Sequence, residues 1–140
     1  MAKSEREIIL VRVQKLEENI LYLKKMKKDL SLDAVASNKF NEWSLRYGIF
    51  ESIQMVIDIA CHISNSYNLG SSKSYSQCIE NLQKNNFLSD KLAKRLISAI
   101  GLRNLLIHEY IEIDIKKLYS FLDLSNDFSN FIKEIKEYIK

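Results

Sequence analysis

Tyr47-Gly48-Ile49-Phe50-Glu51-Ser52-Ile53-Gln54-Met55-Val56-Ile57-Asp58-Ile59-Ala60-Cys61-His62-Ile63 is the stretch whose pattern decides the fold. Ile49, Ile53, Val56, Ala60 and Ile63 recur at alternating steps of four and three, which places them on one helix face. Trp43, Tyr47, Phe50 and Ile57 form a second stripe beside it. A helix that is apolar on two faces is central to its fold or gives one face to a partner chain. The pattern predicts this helix over about Lys39 to Ser64.

Outward from it, the same period recurs. Upstream, Ile9, Val13, Leu16, Ile20 and Leu23 mark a helix from about Ser4 to Leu30, with Ser4 and Glu7 spaced as a capping box. Lys24, Lys25, Lys27 and Lys28 gather near its C-terminal end, where cations suit the helix dipole, so a solvated helix end is the preferred reading over an RNA-backbone contact. Ser31 to Asn38 reads as a connection anchored by Leu32 and Val35. Downstream, Asn65 to Ser76 is dense in Asn, Ser and Gly, residues that compete with helix hydrogen bonding. A short helix with Ile79 and Leu82 follows and stops at Asn85-Asn86. Ser89, with Asp90 beside it, caps the next, which carries Leu92, Leu96, Ala99 and Leu102. Asp114 to Lys140 holds Ile115, Leu118, Leu122, Phe128, Ile132, Ile135 and Ile139, as one bent helix or two broken near Ser125. The expected fold is all-α, a bundle of four long helices plus one short one.

Composition agrees. Strands need turns and turns draw on Gly and Pro, yet the 140 residues contain no Pro and three Gly. The length suits one domain over 1–140, with roughly 68–70% of the unfolded surface buried. The formal net charge of +3 is less than the dense basic patch of a dedicated duplex binder, so DNA is not an expected partner. No run of about 18 apolar residues predicts a membrane span, and the N-terminus lacks a signal-peptide pattern. A cytoplasmic protein is the default expectation. Cys61 lies in an apolar helical stretch and reads as a buried free thiol. With Cys78 as the other cysteine and no histidine at ligand spacing, no zinc site is expected.

The chemistry-bearing residues concentrate in Arg103-Asn104-Leu105-Leu106-Ile107-His108-Glu109-Tyr110. At about 100° per residue, Arg103 and Tyr110 share a helix face and His108 lies roughly 140° from Arg103. A straight helix does not aim all three at one point, so convergence within one chain requires the helix to end or loosen around Ile107 to Glu109. Ile111 and Ile113, with Asp114 as the next N-cap, fit a break there. From spacing alone, a structural reading is favoured: the Arg pairs with a carboxylate, the His caps carbonyls and the Tyr packs.

The same string resembles the RX4HXY motif of the HepT branch of HEPN proteins. Gly101-Leu102 before the Arg, the Asp-Ile-Ala-x-His stretch at 58–62, Ser74-Tyr75 and Phe87-Leu88-Ser89 also fit that pattern, in order, over about residues 5 to 138. The resemblance implies a helical C2 homodimer that acts as a metal-independent ribonuclease and toxin. It implies a partner antitoxin of the MntA type, a minimal nucleotidyltransferase that moves AMP from ATP onto the motif tyrosine, here Tyr110.

The residue types suit that chemistry. RNA carries its own nucleophile, the 2′-hydroxyl. Cleavage needs a base, an acid for the leaving 5′-oxygen and a cation for the phosphorane. Histidine titrates near neutrality and serves as base or acid, and arginine offers a planar fork of donors to phosphate. One chain supplies one Arg/His pair, whereas a two-fold dimer brings two to one cleft. Arg103 and His108 are therefore the candidate catalytic residues, with Asn104 and Asp58 in support. Asn104 would orient phosphate or His108, and Asp58 would pair with Arg103 or orient His108, with a solvent-exposed or capping role as the equal alternative for Asp58. No carboxylate cluster has metal-site spacing, so neither metal nor cofactor is expected. His62 reads as a helix-end residue. AMP on Tyr110 would add bulk and negative charge at the cleft mouth. The competing reading is a non-catalytic HEPN module that holds or regulates a nucleotidyltransferase, and a third is a plain helical dimer.

Overall fold

The computed structural model describes residues 4–108 and 113–139, and every regular element among them is a helix. Helices α1 (Glu5–Asp29), α2 (Leu32–Ala36), α3 (Lys39–Ser66), α4 (Tyr75–Lys84), α5 (Asp90–His108), α6 (Ile115–Ser120) and α7 (Leu124–Lys136) follow one another, with a 3₁₀ turn at Phe121–Asp123. Helices α1, α3, α5 and α7 are the long ones, and α4 is the expected short helix. The connection expected over 31–38 winds into the extra turn α2, because Ser31 caps it and Val35 buries against the core. The last segment is not one bent helix. It breaks at the 3₁₀ turn, just ahead of Ser125, which is itself buried.

Short polar side chains start most of these helices. Ser4 Oγ accepts from Glu7 N at 3.2 Å, Ser31 Oγ from Ala34 N at 3.1 Å, Asn38 Oδ1 from Phe40 N at 2.9 Å, and Ser74 Oγ from Gln77 N at 3.1 Å. Each satisfies an amide that the first helical turn leaves without a partner. Asp114 does the same for α6 at 3.4 Å.

The core follows the stripes. Ile9, Val13, Leu16, Ile20 and Leu23 of α1 are buried against Ile49, Ile53, Val56, Ala60 and Ile63 of α3 and the apolar face of α7, including Phe128 and Phe131. Helix α3 packs on α1, α4 and α5, which makes it the central helix. Its second stripe divides. Ile57 is buried and Phe50 half-buried, but Trp43 and Tyr47 stay 66% and 60% exposed. Lys24, Lys25, Lys27 and Lys28 are solvated, with Lys27 paired to Asp123.

The loop after α3 is held by its own polar groups. Gly70 has φ +143°, and a Cβ there would stand 2.9 Å from Asn81 Oδ1. Asn81 Nδ2 donates to Ser64 Oγ at 3.0 Å and to the Ser71 carbonyl at 2.9 Å, which ties the loop to both helices.

Cys61 is not the free thiol that its apolar context suggests. It forms a disulfide with Cys78 across the α3–α4 packing, with Cα atoms 4.9 Å apart. The pairing depends on how α4 folds back on α3, which helical periodicity does not encode. Closing a loop of this size stabilises a fold by about 3 kcal/mol in the chain-entropy picture. Reducing compartments keep such pairs as thiols. Cys78 is fully buried in the core, where a free thiol packs as a small apolar group.

Candidate functional site

Arg103 sits on the side of α5 that faces α3. Its Nε–H donates to Gln54 Oε1 at 2.5 Å, and its Nη1 donates to Asn104 Oδ1 at 3.1 Å. The guanidinium carbon lies 5.4 Å from the centre of the Phe50 ring and 5.3 Å from that of Tyr75. Both rings favour a cation at this spacing without neutralising it. An arginine has five N–H donors. Two are used here, which leaves three without a protein acceptor among the described residues.

Asp58 does not reach Arg103 directly. Gln54 Nε2 donates to Asp58 Oδ1 at 2.9 Å, so the amide stands between the carboxylate and the guanidinium. Of the roles open to Asp58, the direct pair with Arg103 is replaced by a relay through Gln54, and Asp58 itself lies exposed. Asn104 faces Arg103 with its oxygen, and its amide N–H₂ has no acceptor among the described residues. Lys73, Tyr75 and Asn104 border a shallow depression beside this group.

His108 is exposed, and α5 stays helical through it. The helix therefore does not loosen before His108, and the two motif residues remain on different sides of α5, roughly 140° apart. No hydrogen bond joins His108 to Arg103 among the described residues. Tyr110, and with it the expected exposure of its hydroxyl, lies outside the described residues.

His62 lies in the last turns of α3 and joins that helix to α1. Arg12 Nη1 approaches its Nδ1 at 3.1 Å, and its Nε2 bonds Glu5 Oε2. Arginine only donates, so Nδ1 accepts and the Nε2–H donates to the carboxylate. That bond, joined by one from Ser66, holds the Glu5 carboxyl below the usual carboxylate range. His62 thus clamps two helices, a structural role close to the one its sequence context suggests.

Beside Arg103 an aromatic face remains open. Phe40, Trp43, Tyr47 and Ile107 are exposed, and Trp43, Tyr47, Phe50, Leu106 and Ile107 line one apolar groove. Phe50 belongs both to this groove and to the Arg103 stack. Sequence reasoning missed Gln54 and Tyr75 as partners of Arg103. Gln54 carried one usable signal, its place between Phe50 and Asp58 at four-residue steps of the central helix.

The Ribonuclease HepT-like sequence profile matches residues 16–136. The chain belongs to the HepT-like ribonuclease family. It is 28% identical over 141 residues to the tRNA nuclease HepT of Aphanizomenon flos-aquae, covering 99% of this chain and 95% of that one. It is 33% identical over 81 residues to the mRNA nuclease HepT of Shewanella oneidensis, covering 57% and 61%. Among solved structures, it resembles the tri-AMPylated Shewanella oneidensis HEPN toxin in complex with MNT antitoxin. That match has a TM-score of 0.83 and 25% identity, over 93% of this chain and 97% of that one. Bacillus subtilis YutE, a cytosolic protein of unknown function, shares the fold at a TM-score of 0.83 and 17% identity, over 99% of this chain and 93% of that one. No described helix of this HepT-like chain is long and apolar enough to cross a membrane.

Proposed function

We propose that this chain is the metal-independent ribonuclease toxin of a toxin–antitoxin pair, formed by a single HepT-like domain over residues 1–140 and acting in the cytoplasm. The observation that carries the reading is the state of Arg103. Among the described residues its guanidinium keeps three N–H donors for a phosphate, and it stands at the edge of an exposed aromatic face. A cation so placed offsets the charge that develops on a phosphorane. His108 supplies the proton transfer, and Asn104 offers its amide N–H₂ to the same phosphate.

Arg103 and His108 lie on different sides of α5, so a second chain has to complete the site. A C2 homodimer through Phe40, Trp43, Tyr47 and Ile107 covers the open face and brings two copies of each residue to one cleft. Trp43→Asp places a charge in that interface. It is expected to convert a dimer to a monomer in sedimentation at micromolar concentration and to abolish cleavage with it. A Trp43→Asp protein that remains dimeric would reject this face as the interface.

The named relatives support RNA as substrate and a nucleotidyltransferase of the MNT type as partner. The assignment of Tyr110 as the residue that accepts AMP rests on its place in the motif. Expression of this chain in bacteria should arrest growth and deplete intact RNA, and co-expression of the nucleotidyltransferase should restore both. Normal growth with intact RNA at full expression would reject the toxin reading.

A further inference from the structure

Arg103 is oriented by a group that carries no charge. Gln54 Oε1 accepts from its Nε–H at 2.5 Å, while the other end of the same amide donates to Asp58 Oδ1 at 2.9 Å. The orientation of that amide is forced. A guanidinium only donates and an ionised carboxylate only accepts, so the oxygen faces Arg103 and the N–H₂ faces Asp58. An arginine that meets a carboxylate ordinarily forms a direct, often bidentate, pair. Such a pair would occupy its donors and cancel much of its field. Here the guanidinium meets the neutral amide instead, whose other end bonds Asp58, and Phe50 and Tyr75 flank it with uncharged rings.

We propose that Gln54 is a positioning residue that fixes the Arg103 guanidinium for phosphate while insulating its charge from Asp58. The inference rests on the reading of Arg103 as the phosphate-binding cation given above. Gln54 touches neither substrate nor reacting atoms and acts through Arg103. The substitution that separates charge from shape is Gln54→Glu. It keeps an acceptor for the Nε–H but replaces a neutral partner with an anion. Gln54→Met keeps the length of the side chain and loses the bond without adding charge.

The test measures binding of a 2′-O-methyl RNA oligonucleotide, which carries the phosphates without the nucleophile, across a series of salt concentrations. Cleavage of ordinary RNA is followed in parallel. Each phosphate that the protein no longer neutralises makes the slope of log affinity against log salt shallower by about 0.7 for a single strand. Arg103→Ala and Gln54→Glu should both show that shallower slope, and Gln54→Glu should cleave about a hundredfold more slowly, the scale of removing one oxyanion donor. Gln54→Met should keep the wild-type slope and lose cleavage rate through misorientation. A Gln54→Glu protein with wild-type slope and rate would overturn the inference, as would Gln54→Met and Gln54→Glu proving identical in both. If Gln54→Glu fails to fold, Gln54→Met decides alone, and a wild-type cleavage rate in it overturns the proposal. A wild-type protein that cleaves no RNA, with Arg103→Ala binding unchanged, would instead reject the underlying reading of Arg103.

Discussion

Arg103→Ala and His108→Ala should each lower RNA cleavage by about a hundredfold or more, the scale of removing an oxyanion donor or a general acid–base group. The two effects have different origins. Removing Arg103 takes away the cation that Gln54, Asn104, Phe50 and Tyr75 hold in place. Removing His108 takes away the proposed proton carrier, whose side chain is exposed and stands outside the core. Thermal unfolding of the His108 variant should therefore match wild type. Single-turnover cleavage measured beside thermal unfolding separates chemistry from folding. A His108→Ala protein that cleaves at the wild-type rate would remove it from the reaction.

Tyr110→Phe should escape neutralisation. The change keeps the ring and removes the oxygen that would accept AMP, so a nucleotidyltransferase has no acceptor at this position. Cells that express the variant with the partner should remain growth-arrested while wild type is rescued. Mass spectrometry of co-expressed wild-type protein should show added AMP on a peptide that contains Tyr110. AMP is bulky and anionic, and beside a phosphate-binding cleft it opposes RNA by occlusion and by like-charge repulsion. Complete neutralisation of the Phe variant, with no modification of wild type, would favour a tight complex as the means of control.

The helices were legible because their signal is local and repeated. The stripes of α1 and of Ile49 to Ile63 are buried throughout, and Ser4, Asn38 and Ser74 start helices as short polar caps do. The Cys61–Cys78 bond was not legible, because it depends on the approach of α4 to α3 rather than on either helix alone. The exposed Trp43 and Tyr47 were visible as a second stripe, yet sequence did not separate a central helix from one with an open face. At the site, the motif named Arg103 but not what holds it. Helical steps of four put Gln54 beside Asp58, but which of the two meets Arg103 depends on the packing of α5 against α3.

The chemistry assigned to Arg103 and His108 uses the 2′-hydroxyl of the RNA itself as nucleophile, and that choice is written into the product ends. Purified protein should therefore be incubated with RNA in excess EDTA and the fragments analysed by mass spectrometry. Cleavage that persists and leaves 2′,3′-cyclic phosphate ends is the predicted result. Strict dependence on added Mg²⁺, with fragments that end in a 3′-hydroxyl, would contradict it.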